Sequence, residues 1–191
     1  MHKGRLEAFS DGVIAILITI MVLELHVPHG ADLAALQPVL PHLLSYALSF
    51  VFLGIYWNNH HHMLQAAHHV DGRILWANMH LLFWLSLVPF GTAWLGEHYL
   101  APLPVAMYGA ILLFAGCAYY VLSRLLIARH GADSPLARAV GSDVKGLASL
   151  AIYALAIAVA FSAPQLSCAL YVVVAIVWLV PDRRIERVLE H

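Results

Sequence analysis

Ser10, Asp11 and the histidines at positions 60, 61, 62, 68 and 69 are the residues of this chain whose types could do chemistry. A serine, an acid and a histidine make a nucleophilic triad when the histidine reaches the hydroxyl and the acid orients the histidine. His61 and His68, seven residues apart, would share a helix face and could hold a metal or a haem iron. Glu24 adds a second acid that could gather cations, relay protons or simply bond to a neighbouring turn.

The surroundings weigh against catalysis and metal binding. Arg5 lies near the serine and acid, no substrate cleft is evident, and no nucleophile, base and orienter can be placed together, so no enzyme is expected. Only Asp71 accompanies the histidine run, which falls at the end of an apolar segment where titratable groups stay solvated or hydrogen-bonded. Neither a metal nor a cofactor is expected. One of His60 and His61 is expected to partner the Ser10–Asp11 pair.

The element that must position these groups is the stretch from 5 to 24, RLEAFSDGVIAILITIMVLE, in which Asp11 and Glu24 bracket twelve uncharged residues, ten of them apolar. As a helix, this places the two acids about 20 Å apart along the axis, less than the roughly 30 Å of a bilayer's hydrocarbon core. At least one acid then lies at membrane depth, where an ionisable group must face protein or water. Helix one is therefore an inner helix.

The rest of the chain supplies its packing. With 62% hydrophobic and 11% charged residues and a mean hydropathy of +0.79, the 191 residues read as a polytopic, all-α membrane protein in one domain, 1–191. The net charge of −1 offers no basic patch, so no nucleic-acid partner is expected. Cys117 and Cys168 lie in apolar runs as small hydrophobic residues. Asp11 and the lack of a small-residue cleavage site argue against a removable leader.

Five further apolar runs follow, at about 39–63, 74–95, 105–127, 147–161 and 166–180, giving six spans. Pro89 is expected to kink the third, and a polar loop from 128 to 146 separates the fourth from the fifth. All ten Lys and Arg residues then fall on one side: Lys3, Arg5, Arg73, Arg124, Arg129, Arg138, Lys145, Arg183, Arg184 and Arg187. By the positive-inside rule both termini are cytoplasmic. No duplication relates spans one to three with four to six, so an inverted-repeat transporter has no support. Six short helices leave little room for a private pathway, and a pore shared on a symmetry axis is the economical arrangement.

At 100° per residue, Gly12, Ile16, Thr19, Ile20 and Leu23 form one stripe of helix one, and Ser10 and Asp11 point away from it. Such a stripe is either ordinary helix packing or a pore wall that closes by dewetting where branched side chains meet.

The string Arg5-x-x-x-Phe9-Ser10-Asp11-Gly12-Val13, continued by Ala15-Ile16-x-x-Thr19 and Leu23-Glu24, resembles the signature of the TMEM175 family of potassium channels. Trp57 with Asn59-His60-His61, Asn78 and the Pro89-Phe90 pair extend the resemblance. It implies a homotetramer in which helix one of four subunits lines the pore, with Ile16 as the narrowest ring, Ile20 and Leu23 as further apolar rings, and Thr19 as the hydroxyl layer of potassium preference. It makes Arg5, Phe9, Ser10 and Asp11, with His60, His61 and Asn78, a structural motif tying the inner end of that helix to spans two and three. No TVGYG string is present, which excludes a carbonyl-lined filter of the usual kind. The implied setting is a prokaryotic plasma membrane, with lipid and permeant K⁺ as partners. A proton-coupled secondary transporter, with Asp11, Glu24 and the histidines as relays, is the alternative; a non-conducting haem or metal membrane protein is the third.

Overall fold

The computed structural model describes residues 3–67, 69–131, 133–141 and 143–179. His68 and the tail arginines Arg183, Arg184 and Arg187, used above for the histidine run and the charge asymmetry, lie outside the described residues.

The described secondary structure is helical throughout. Among the described residues eight α-helices run in order: α1 Lys3–Ile20, α2 Leu40–Gln65, α3 Gly72–Ser86, α4 Val88–Glu97, α5 Pro102–His130, α6 Pro135–Val140, α7 Val144–Val159 and α8 Pro164–Leu179. Four helical stretches among the described residues are long and apolar enough to cross a membrane: Lys3–Glu24, Leu33–Gln65, Gly72–Glu97 and Pro102–His130. The last two apolar helices, α7 and α8, have 16 residues each, about 24 Å of rise.

Helix one tightens at its end into a 3₁₀ turn over Met21–Glu24, closed by the Leu25 N–H on the Val22 carbonyl. Three residues per turn there stack Leu23 over Ile20. The third run breaks where Pro89 lacks an N–H: the Leu87 N–H turns to the Trp84 and Leu85 carbonyls, and α4 restarts at Val88. The expected loop from 128 to 146 is largely helical instead. The fourth span continues to His130, Ser134 caps α6 through the Ala137 N–H, and Asp143, at φ +47°, caps α7 through the Gly146 N–H. Good caps outweigh polar composition there.

Core packing is organised by α5, which lies against α3, α4, α7 and α8. One apolar cluster joins α1, α2, α3 and α5, with Ile14, Leu53, Met63, Ile74, Leu81 and Leu122 fully buried. A second joins α2, α4, α5, α7 and α8 around Phe52, Tyr108 and Tyr171. Tyr171 donates to the Val105 carbonyl at 2.9 Å and occupies the space a side chain at position 109 would fill, so Gly109 is what lets α5 and α8 meet. Helix one enters only the first cluster. Its start is tied to the end of α2 by Lys3, whose ammonium reaches the Leu64 and Gln65 carbonyls at 3.2 Å each.

Candidate pore helix and its polar anchor

Helix one carries two faces of opposite character. Leu6, Ser10, Ile14, Leu17 and Met21 recur at three- and four-residue spacing and are buried against α2, α3 and α4. Gly12, Ile16, Thr19, Ile20 and Leu23 are all exposed; Ile16 keeps 59% and Leu23 77% of its surface, against 6% for Leu17 between them. None of the described residues covers the stripe that the sequence marks out.

Thr19 is the one hydroxyl on that stripe. Its Oγ1 donates to the Ile16 carbonyl at 2.9 Å, so what it turns outward is oxygen lone pairs. That is acceptor chemistry suited to a cation. Glu24 is exposed at the end of the 3₁₀ turn.

The opposite face holds a buried polar chain. The Ser10 hydroxyl donates to the Leu6 carbonyl at 2.8 Å and accepts from the Asn78 amide nitrogen at 2.9 Å. Asn78 Oδ1 then faces His60 Nε2 at 2.7 Å. With the Ser10 proton committed to Leu6, the amide must turn its NH₂ to Ser10 and its oxygen to His60, so Nε2 of His60 carries the hydrogen. Ser10, His60 and Asn78 are at most 1% exposed, and every link in the chain is satisfied. This leaves the serine no free role as a nucleophile: its hydroxyl meets an amide, and the histidine meets Asn78 instead of Ser10.

Asp11 and His61 belong to a neighbouring, wetter layer. Trp57 donates its indole N–H to Asp11 Oδ1 at 3.0 Å, and the His61 ring stacks on Trp57 with centroids 5.7 Å apart. Arg5 and Phe9 are exposed and stand outside both layers within one chain. The remaining histidines scatter: the His69 N–H donates to His130 Nε2 at 3.1 Å, while His80 accepts from Trp84 at 2.9 Å. Among the described residues, no three His, Cys, Asp or Glu side chains converge as metal ligands would.

A second buried polar group escapes a reading based on charged and histidine residues alone. Thr92 and Ser49 hydroxyls are 2.6 Å apart, Tyr108 lies 2.9 Å from Ser49, and the Thr92 hydroxyl also reaches the Val88 carbonyl at 2.7 Å. It pins α2, α4 and α5 together beside Met21. The only signal for it in the sequence is three hydroxyl residues inside apolar runs.

Below the helix ends, Asp71 caps α3, with Oδ1 accepting from the Arg73 and Ile74 N–H groups at 2.9 and 3.0 Å. The Ile74 N–H foremost, with the Arg73 N–H and the Arg129 guanidinium 3.9 Å away, holds this carboxyl below its ordinary value.

Comparison with known proteins agrees with this architecture. Residues 5–89 match the family model described as the endosomal/lysosomal potassium channel TMEM175. A potassium channel of Chryseobacterium sp. (strain P1-3) is 52% identical over 191 residues, all of both chains. The crystal structure of a lysosomal potassium-selective channel TMEM175 homolog from Chamaesiphon minutus superposes with a TM-score of 0.78 at 30% identity, covering 94% of this chain and 97% of that one. An endosomal/lysosomal proton channel TMEM175 of Gallus gallus is 41% identical over 73 residues, 32% of this chain and 15% of its own length.

Proposed function

Since this chain belongs to the TMEM175 family of channels, a family that is not enzymatic, we propose that it is a passive potassium-permeable channel of an integral membrane assembly. The observation that carries this reading is the likeness, along its whole length, to a protein named a potassium channel. The exposed face of α1 supports it physically: an apolar stripe with one outward hydroxyl lies exposed opposite the face packed against α2 and α3.

In this reading each chain contributes six membrane-crossing segments, the broken α3–α4 pair counting as one, and four chains surround a pore lined by α1. Ile16 forms the narrowest ring, with Ile20 and Leu23 outside it, and the constriction closes by excluding water. Thr19 oxygens supply the potassium-preferring layer. Ser10, Asn78 and His60, with Asp11, Trp57 and His61, hold the inner end of α1 against α2 and α3, and Arg5 and Phe9 face neighbouring chains. Both termini lie in the cytoplasm of a prokaryotic cell, in its plasma membrane.

The test is flux from liposomes. Protein reconstituted under a potassium gradient passes K⁺ with no coupling ion, and the flux survives Glu24→Gln. A flux that needs a proton gradient makes the chain a proton-coupled carrier and ends the channel reading. The Gallus gallus relative, named a proton channel, favours one second reading, proton permeation through the same pore. A pH dye in the same liposomes separates the two: acidification by an imposed voltage without K⁺ movement selects it.

A further inference from the structure

Away from α1, a half-open cleft with a cavity volume of about 50 Å³ lies between α2, α5, α7 and α8. Its wall is aromatic: Tyr56, Tyr119, Tyr120, Tyr153 and Trp178 line it, and among the described residues Asp143 adds a carboxylate to the lining. At its floor Gly116 lets α5 and α7 approach closely, because a Cβ there would stand 2.7 Å from Leu150 Cδ2. The Trp178 ring is held in place by its indole N–H on Ser149 Oγ at 2.8 Å.

One cation already uses this wall. The Lys145 ammonium sits over the Trp178 ring, 4.5 Å from its centroid, on the same turn of α7 that Asp143 caps. Ring faces are electronegative, so an aromatic wall that also carries a carboxylate favours a cation over an anion. The apolar lining disfavours small, strongly hydrated ions, and an ammonium clothed in methyl groups gives up little hydration on entry. From this geometry we propose that the cleft is a binding site for organic ammonium groups, and that Lys145 is its built-in occupant, displaced from Trp178 when a ligand enters.

The proposal rests on the cleft and not on conduction, and its test reads binding alone. The full chain in lipid nanodiscs is titrated with choline and, in parallel, with 3,3-dimethylbutan-1-ol, its uncharged isostere, using ligand-observed NMR. Choline binds, and the isostere binds at least about threefold more weakly. Asp143→Asn, which keeps the capping oxygen of α7 while removing the charge, lowers choline affinity by about threefold or more. Trp178→Leu lowers it further. Lys145→Gln, which empties the seat on Trp178, raises it. Equal binding of choline and the isostere overturns cation recognition. Choline binding that ignores both Asp143→Asn and Trp178→Leu in variants with unchanged melting places the cation elsewhere, the pore included, and overturns the site. Weaker choline binding in Lys145→Gln overturns the role given to that lysine.

Discussion

Ile16 and Leu17 are adjacent and have opposite fates, and the contrast bears on the gate. Leu17 is packed inside the chain, whereas Ile16 is 59% exposed on a helix whose other face is full. A branched apolar ring on a shared axis excludes water, so Ile16→Asn should wet the constriction and raise basal K⁺ flux several-fold in liposomes; unchanged flux in a normally assembled variant removes Ile16 from the gate. Thr19→Val keeps the shape and removes the outward oxygen. It should lower the K⁺ over Na⁺ permeability ratio, read from reversal potentials, and an unaltered ratio takes Thr19 out of selectivity. The buried chain from Leu6 to His60 makes a different demand. Asn78→Leu strands the Ser10 oxygen and the His60 N–H together. Hydrogen bonds between membrane helices are worth about 0.6 kcal/mol each on average, because the separated helices also find partners. Two lost bonds therefore predict a loss of about 1 kcal/mol in unfolding by denaturing detergent.

At the scale of elements, the clearest handle is the start of α3. A carboxyl held below its ordinary value stabilises the fold above the unfolded value, and the contribution fades as pH falls through the folded one. Asp71→Ala should therefore melt at a lower temperature than the parent at neutral pH, and the gap should close in strong acid as the parent loses its ionised cap. Asp71→Asn, which still accepts from the Arg73 and Ile74 N–H groups, should keep part of the stability and lose the pH dependence. Equal melting of all three proteins at neutral pH would show that the cap contributes nothing. The same element shows what the sequence could and could not convey. The break at Pro89 and the buried-against-exposed division of α1 follow from proline chemistry and helical period, so both were legible. The choice of His60 over His61 as the partner reaching Asn78 was not, since it depends on how α2 is rotated against α3. The fold of the segment from 128 to 146 was obscured because its polar composition hid two good caps, Ser134 and Asp143.

For the whole molecule, the question is what covers the face of α1 that the described residues leave open. Lipid could cover Ile16, Ile20 and Leu23, but would bring no partner to the outward oxygen of Thr19. A second copy of the same face gives each apolar side chain an identical neighbour and gathers the outward hydroxyl oxygens round one axis, where water or a cation meets their lone pairs. Closed symmetry repeats that contact without leaving an edge. Copies of α1 on an axis bring equivalent residues close; equivalent residues on the buried face stay a helix diameter or more apart. In a background with Cys117 and Cys168 replaced by serine, cysteine at Leu23 should therefore cross-link neighbouring chains under mild oxidation in the membrane, and cysteine at Leu17 should not. Cross-linking at both positions would mean that the chain opens its own packing. At neither, with assembly intact on a sizing column, α1 is lipid-facing or distant from its copies, and the central pore is lost with it.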